Sequence, residues 1–294
     1  MQYLYLSCAM VFSAMLTICG QLYNRKNEGR PNVSRLYNVI VPASATFGWL
    51  ILYLLDFSFD PMVLLYSVGY GVFYTCFTIG MVGALKVGST SLTALVKQLS
   101  LVGASIWGFF FWDVSLTATA VYGLICIVTS LCLCLLGKEK GAEKESTHRH
   151  SVWKWIPFAL LIAIGNAGCS IIQKYQQIAF DGQHKNMLMV FGVFFSFLVS
   201  SCLALREERT HWKEALRSSW WFPFMAGLSS AFANVFVLIL LGTEMSTVVI
   251  YSGMAVGGLI LTTLISRIFF GERLRSLQWV GIGVGAVALV LLNC

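Results

Sequence analysis

Charge is what this chain lacks. Asp and Glu number 13 in 294 residues, and charged residues of both signs make up 11%. An ordinary soluble domain is about a quarter charged. With 57% hydrophobic residues and a mean hydropathy of +0.76, the chain cannot cover a water-facing surface. A soluble globular protein is excluded. So is a disordered one, which needs low hydrophobicity and high net charge. The solvent is lipid. Histidine is scarce too, and His148, His150, His184 and His211 all fall in loops or at helix ends. Every Asp and Glu does the same. The apolar runs therefore hold no paired carboxylates and no His/Glu cluster for an intramembrane enzyme. The H-x-H of His148 and His150 is a weak metal signal. No P-loop is present, so nothing in the chain binds ATP for pumping. No enzyme activity, metal or cofactor is expected.

What is abundant is long apolar sequence. A membrane helix needs about 20 mostly apolar residues. Continuous runs favour helices over barrel strands, which alternate in short segments. Ten spans are expected, at about residues 3–22, 36–55, 61–84, 89–111, 116–136, 155–176, 186–205, 220–241, 245–267 and 276–293. The fold class is an all-α polytopic membrane protein. The start, MQYLYLSCAMVFSAML, has no basic n-region and no small-x-small cleavage site, so it reads as the first span rather than a signal peptide. Of the nine cysteines, Cys294 is terminal and the others lie in spans, where a thiol acts as a small hydrophobe.

The net charge of +7 follows the membrane and is no nucleic-acid footprint. Alternate connections take almost all the Lys and Arg. They hold Arg25, Lys26, Arg30 and Arg35, then Lys86, then Lys138 to Lys154, then Arg206 to Arg217, then Arg267, Arg273 and Arg275. The opposite connections hold only Lys174 and Lys185. A missed span would scramble this alternation. The positive-inside rule places the basic connections in the cytoplasm and both termini outside. A bacterial cytoplasmic membrane is the expected location.

The polar stretch GKEKGAEKESTHRHS, 137–151, divides the spans five and five. The expected organisation is a first five-helix repeat over 1–137, a basic cytoplasmic linker over 138–153 and a second repeat over 154–294. Each half ends alike. FFFWDVSL and FFGERLRSL carry an aromatic helix end into an acidic turn, Asp113 or Glu272. A last helix with an early glycine follows, Gly123 or Gly281. Because five is odd, the second half enters the membrane upside down, which gives an inverted repeat with a site near the midplane.

This architecture resembles the EamA-like branch of the drug/metabolite transporter superfamily. At motif level the resemblance rests on Gly271, Glu272, Arg273, Leu274, Gln278 and Gly281 before the last helix. It implies transport of a small metabolite: a sugar phosphate, nucleotide sugar, amino acid or cationic drug. It also implies that basic residues of the fourth and ninth spans hold a substrate phosphate. Only Lys97 maps onto that pattern.

Lys97 is the one charged residue in mid-span. Such a residue is costly and marks function by default. It has no acidic partner in any span, which suits an anionic substrate group. Tyr70 and Tyr74, one helical turn apart, and Asn234, Tyr251 and Ser252 are expected to add hydrogen bonds. Asn166, Gln173, Gln21 and Asn24 are further polar residues of the spans. Lys174 and Glu244 are candidates for a gate or a coupling role. Small residues at four-residue spacing, Ser100/Ala104/Gly108, Gly253/Gly257 and Gly281/Gly285, pack helices within the chain or between two copies. The expected function is secondary transport, by alternating access, of a small metabolite bearing an anionic group. The alternative is a broad exporter of amphipathic or cationic compounds with Lys97 uncharged.

Overall fold

The computed structural model describes residues 1–30, 33–87, 90–112, 118–136, 152–205, 211–270 and 276–293. The linker with His148 and His150, the acidic turns at Asp113 and Glu272, and Cys294 lie outside these residues. Among the described residues all regular structure is α-helical. The helices are α1 Gln2–Lys26, α2 Val33–Leu55, α3 Pro61–Val87, α4 Thr90–Phe111, α5 Ala118–Leu136, α6 Val152–Ala179, α7 Lys185–Leu205, α8 Trp212–Ser219, α9 Trp221–Leu241, α10 Thr247–Phe270 and α11 Ser276–Asn293. Among the described residues six segments are long and apolar enough to cross a membrane: Gln2–Lys26, Val33–Leu55, Pro61–Val87, Lys154–Ala179, Lys185–Leu205 and Trp221–Leu241. The protein is an integral membrane protein.

Ten of these helices have 18 residues or more and coincide with the ten expected spans within a few residues. The remaining one, α8, is eight residues long and falls where a loop was expected. WKEALRSS is too short and too polar to register as a span. It is amphipathic: Ala215 and Ser219 are buried, while Lys213, Glu214, Leu216 and Arg217 are exposed. Two contacts tie it to the end of α1. Asn27 Nδ2 donates to Ser219 Oγ at 2.9 Å, and Arg30 lies 3.7 Å from the Glu214 carboxylate.

The bundle has two distinct ends. The end of α1 meets the start of α9, with Lys26 Nζ 5.7 Å from the centre of the Phe222 ring. The starts of α4 and α6 meet where Trp155 Nε1 donates to Thr93 Oγ1. At the opposite end, Asn186 at the start of α7 donates to Asp56 at the end of α2. There too, Trp107 of α4 donates to Tyr175 of α6. Arg25, Lys26, Arg30, Lys154, Lys213 and Arg217 gather at the first end. Asp56, Asp60, Asp181 and Glu244 lie at the other. The charge alternation read along the chain is thus a charge asymmetry in space.

The most extensive packing joins the first five helices to the last five long ones: α3 with α6 and α7, α1 with α9 and α10, α2 with α7 and α9, α4 with α6 and α10, and α5 with α11. Number the long helices one to ten and exchange each with the helix five places on. Every one of these pairings then maps onto itself or onto another in the set. Outward faces are apolar, as at Leu65, Val68 and Val72 of α3. The inward face of that helix carries Ser67, Tyr70 and Tyr74. Lipid supplies no hydrogen bonds, so polar side chains turn inward.

Glycine permits the closest approaches. A Cβ at Gly165 of α6 would stand 2.5 Å from the Phe77 nitrogen and 2.6 Å from the Phe73 carbonyl oxygen of α3. Gly71 of α3 abuts the Gly192 carbonyl of α7 in the same way. Gly253 and Gly257 of α10 lie against Leu6 and Met10 of α1, and Gly285 lies against Ser130 and Val256. Ser130 Oγ also donates to the Gly281 carbonyl at 2.6 Å. These small-residue faces are occupied within the chain. In α2, Pro42 lies mid-helix and the helix runs on through it. Gly165→Ala should cost about 1–3 kcal/mol by overpacking, seen as a melting temperature several degrees lower in detergent. Gly103→Ala, with nothing within 4 Å of the added carbon, should leave the melt unchanged.

Candidate functional site

Lys97 enters the interior because α4 is wedged between α6 and α10, leaving its side chain to reach α1. On α1, Ser13 and Thr17 are one turn apart and share a face. Lys97 Nζ donates to the Ser13 carbonyl at 3.2 Å, to Ser13 Oγ at 3.1 Å and to Thr17 Oγ1 at 3.0 Å. An ammonium has three donors, and these three oxygens take them all. Lys97 is only 4% exposed. Thr17 Oγ1 in turn donates to the Ser13 carbonyl at 3.2 Å. Among the described residues the ammonium faces neutral oxygens and no carboxylate.

On the other side of α4, Asn166 of α6 donates from Nδ2 to the Lys97 carbonyl at 3.1 Å and to Ser100 Oγ at 2.8 Å. Ser100 Oγ donates to the same Lys97 carbonyl at 2.6 Å. Ser170 Oγ donates to the Asn166 carbonyl, and the Tyr251 hydroxyl of α10 donates to the Ser170 carbonyl at 2.7 Å. Gln173 Nε2 donates to Asn234 Oδ1 of α9 at 2.8 Å, and Asn234 Nδ2 donates to the Ser230 carbonyl. Tyr74 Oη and Ser230 Oγ share a hydrogen bond of 3.0 Å. Tyr70 and Tyr74 stack, with ring centres 5.8 Å apart. Their one-turn spacing on α3 puts both rings on one wall.

These side chains surround a cavity of about 650 Å3 of empty space, its mouth included. Its wall comes from α1, α3, α4, α6, α9 and α10, three helices of each half. Of the residues expected from sequence, Lys97, Tyr70, Tyr74, Asn234 and Tyr251 all line it. Ser252 is not among the lining residues and is fully buried. Lys174 and Glu244 also stand off the cavity. Lys174 is half-buried and donates to the Leu241 carbonyl at 3.4 Å, while Glu244 is exposed in the turn after α9.

Ser13, Ser170 and Ser230 line the cavity without having been singled out. Isolated serines are common in membrane helices, so only the four-residue step from Ser13 to Thr17 was a signal. The hydroxyl of Tyr70, Oδ1 of Asn166 and Oε1 of Gln173 make no hydrogen bond among the described residues. No group of three or more metal-ligating side chains occurs among the described residues either. Apart from Lys97, the described cavity wall is uncharged, aromatic and rich in amide and hydroxyl groups.

Long apolar helices surround a polar internal cavity. The family follows from the sequence profile described as "Sugar transport protein", which matches residues 22–294; the chain belongs to that family. No curated protein matches it in sequence. A solved structure titled "Crystal structure of protein" has the same fold. Its TM-score is 0.69 and its identity 14%, covering 96% of this chain and 95% of that one.

The wall around Lys97 makes a prediction. Replacing a buried charge by an apolar side chain of similar length is often neutral or stabilising. Lys97→Met should therefore stay monodisperse and melt within a few degrees of the wild type. Lys97→Glu aims a carboxylate at the Ser13 carbonyl and should cost several kcal/mol, abolishing a cooperative melt.

Proposed function

We propose that this protein is a secondary transporter of a small polyhydroxylated solute, a monosaccharide or close relative. In this reading the ten long helices cross the bilayer as two inverted five-helix halves, and the solute binds between them by alternating access. The observation that carries the solute class is the chemistry of the cavity. Tyr70, Asn166 and Gln173 bring one hydroxyl and two amide oxygens with free hydrogen-bonding capacity, and a polyol presents hydroxyls that pair with them. The stacked Tyr70–Tyr74 wall suits the C–H face of a sugar ring. The family's description as sugar transport proteins supports the same class. The exchange symmetry of the helix pairings supports the inverted repeat. Basic residues gathered at one end support a cytoplasmic placement of that end, with both termini outside.

One observation favours a second reading, in which the solute carries a carboxylate or phosphate. Lys97 lines the cavity with no carboxylate beside it among the described residues. For an anion to bind there, the ammonium must exchange at least one α1 oxygen for the ligand. The neutral solute requires no such exchange, and for that reason it is preferred. A cationic substrate has no carboxylate to meet in the described wall.

Ligand-induced thermal stabilisation of the purified protein separates these readings, because a ligand that binds only the folded state raises its stability by mass action. Neutral monosaccharides should raise the melting temperature of the wild type and of Lys97→Met alike. Sugar phosphates and carboxylates should not. Stabilisation by anions that is lost in Lys97→Met would transfer the assignment to the anionic solute. Stabilisation by organic cations alone would rule out both. Tyr70→Phe and Gln173→Leu should each weaken binding of the effective sugar about tenfold, the worth of one hydrogen bond of about 1.4 kcal/mol.

A further inference from the structure

Two polar pins cross the cavity wall, and the exchange of halves relates them. In the first, Lys97 of α4 donates to Ser13 and Thr17 of α1. In the second, Tyr251 of α10 donates to the Ser170 carbonyl of α6. α1 and α6 open the two halves, and α4 and α10 are the fourth long helix of each. Thr17 stands nine residues before the end of α1 at Lys26, and Ser170 nine residues before the end of α6 at Ala179. Lys97 is seven residues past the start of α4 at Thr90, and Tyr251 four past the start of α10 at Thr247. α4 starts at the basic end of the bundle and α10 at the other. The pins thus sit toward opposite ends of the cavity.

Their surroundings divide the wall into two bodies. α4 packs on α6, where Asn166 also holds the Lys97 carbonyl and Ser100. α10 packs on α1, with Gly253 and Gly257 against Leu6 and Met10. By contrast, α1 and α4 make no extensive packing among the described residues, nor do α6 and α10. Those two seams are bridged by the pins. Each fourth helix is therefore fixed to the first helix of the other half and only hydrogen-bonded to the first helix of its own. The Tyr251 bond joins neutral groups and opens without stranding a charge, whereas opening the Lys97 pin requires water or solute to take over its donors.

We infer that the two pins are reciprocal latches. The Lys97 pin closes the seam between α1 and α4 toward the basic end, the Tyr251 pin closes the seam between α6 and α10 toward the other, and one releases while the other holds. This inference rests on the alternating-access reading above. Lys97 and Tyr251 act here as positioning residues for the helices.

Hydrogen–deuterium exchange of the full chain in lipid nanodiscs tests it. The variants are Thr17→Val, Ser13→Ala with Thr17→Val, and Tyr251→Phe, each lacking only side-chain oxygen. Weakening the Lys97 pin should raise exchange several-fold at the start of α4 and lower it at the turn between α9 and α10. Tyr251→Phe should do the reverse. Combining Thr17→Val with Tyr251→Phe should return both regions toward the wild type. Exchange that rises only beside each substitution, with the far end unchanged and the combination additive, would make the pins ordinary structural bonds and overturn the inference. Wild-type solute exchange measured in parallel keeps the two claims apart. Solute exchange without the reciprocal response sinks the latches and leaves the transporter. The reciprocal response without solute exchange does the opposite.

Discussion

A lysine held deep in an apolar bundle by neutral oxygens is the constraint around which one wall of the cavity is arranged. Lys97 has no carboxylate to meet among the described cavity residues, so its three donors must all find oxygen. That requirement brings Ser13 and Thr17 of α1 to the wall opposite α4, and it draws the Ser13 carbonyl into service as well. Once α4 is oriented in this way, its backbone carbonyl at Lys97 is turned toward α6, where Asn166 closes on it. Ser170 and Tyr251 extend that group. Gln173, Asn234, Ser230 and Tyr74 form a second hydrogen-bonded group in the cavity wall.

Lipid as solvent explains why this network can exist. In water the hydrophobic effect would hold the helices together and polar groups would face out. In lipid, association rests on close packing and on interhelical hydrogen bonds, with small residues where backbones meet. The glycine contacts of α3 with α6 and α7 supply the first, and the cavity network supplies the second. The two requirements are met on different seams. Tight glycine packing joins helices across the halves, while α1 with α4 and α6 with α10 are bridged by hydrogen bonds among the described residues.

Much of the architecture was legible in the sequence, for physical reasons. The apolar runs lie in long helices, and among the described residues six are long and apolar enough to cross a membrane. The basic connections lie at one end of the bundle. Lys97 stood out as a lone mid-span charge, and Tyr70 and Tyr74 as residues one helical turn apart; all three line the cavity, and Ser252 does not. Ser13 and Ser230 were missed because a single serine among apolar residues carries no directional signal. α8 was missed because eight amphipathic residues at a membrane surface resemble a loop in hydropathy. The family recognised from the turn before the last helix was a metabolite-transporter superfamily, whereas the profile that matches 22–294 is that of sugar transport proteins. That turn lies outside the described residues, and the chemistry of the cavity, which a helix signature does not encode, is what speaks to the solute.

Solute counterflow in proteoliposomes tests the central claim most directly. Vesicles bearing the purified protein are loaded with a neutral monosaccharide at high concentration and diluted into a trace of the labelled sugar. Transient accumulation of label above equilibrium, absent from empty vesicles and strongly reduced in Gln173→Leu, is the result this account predicts. Accumulation that Gln173→Leu leaves intact would place the solute path elsewhere. The absence of counterflow for every neutral sugar, with counterflow for an anionic or cationic solute, would contradict the assignment of the cavity to a polyol.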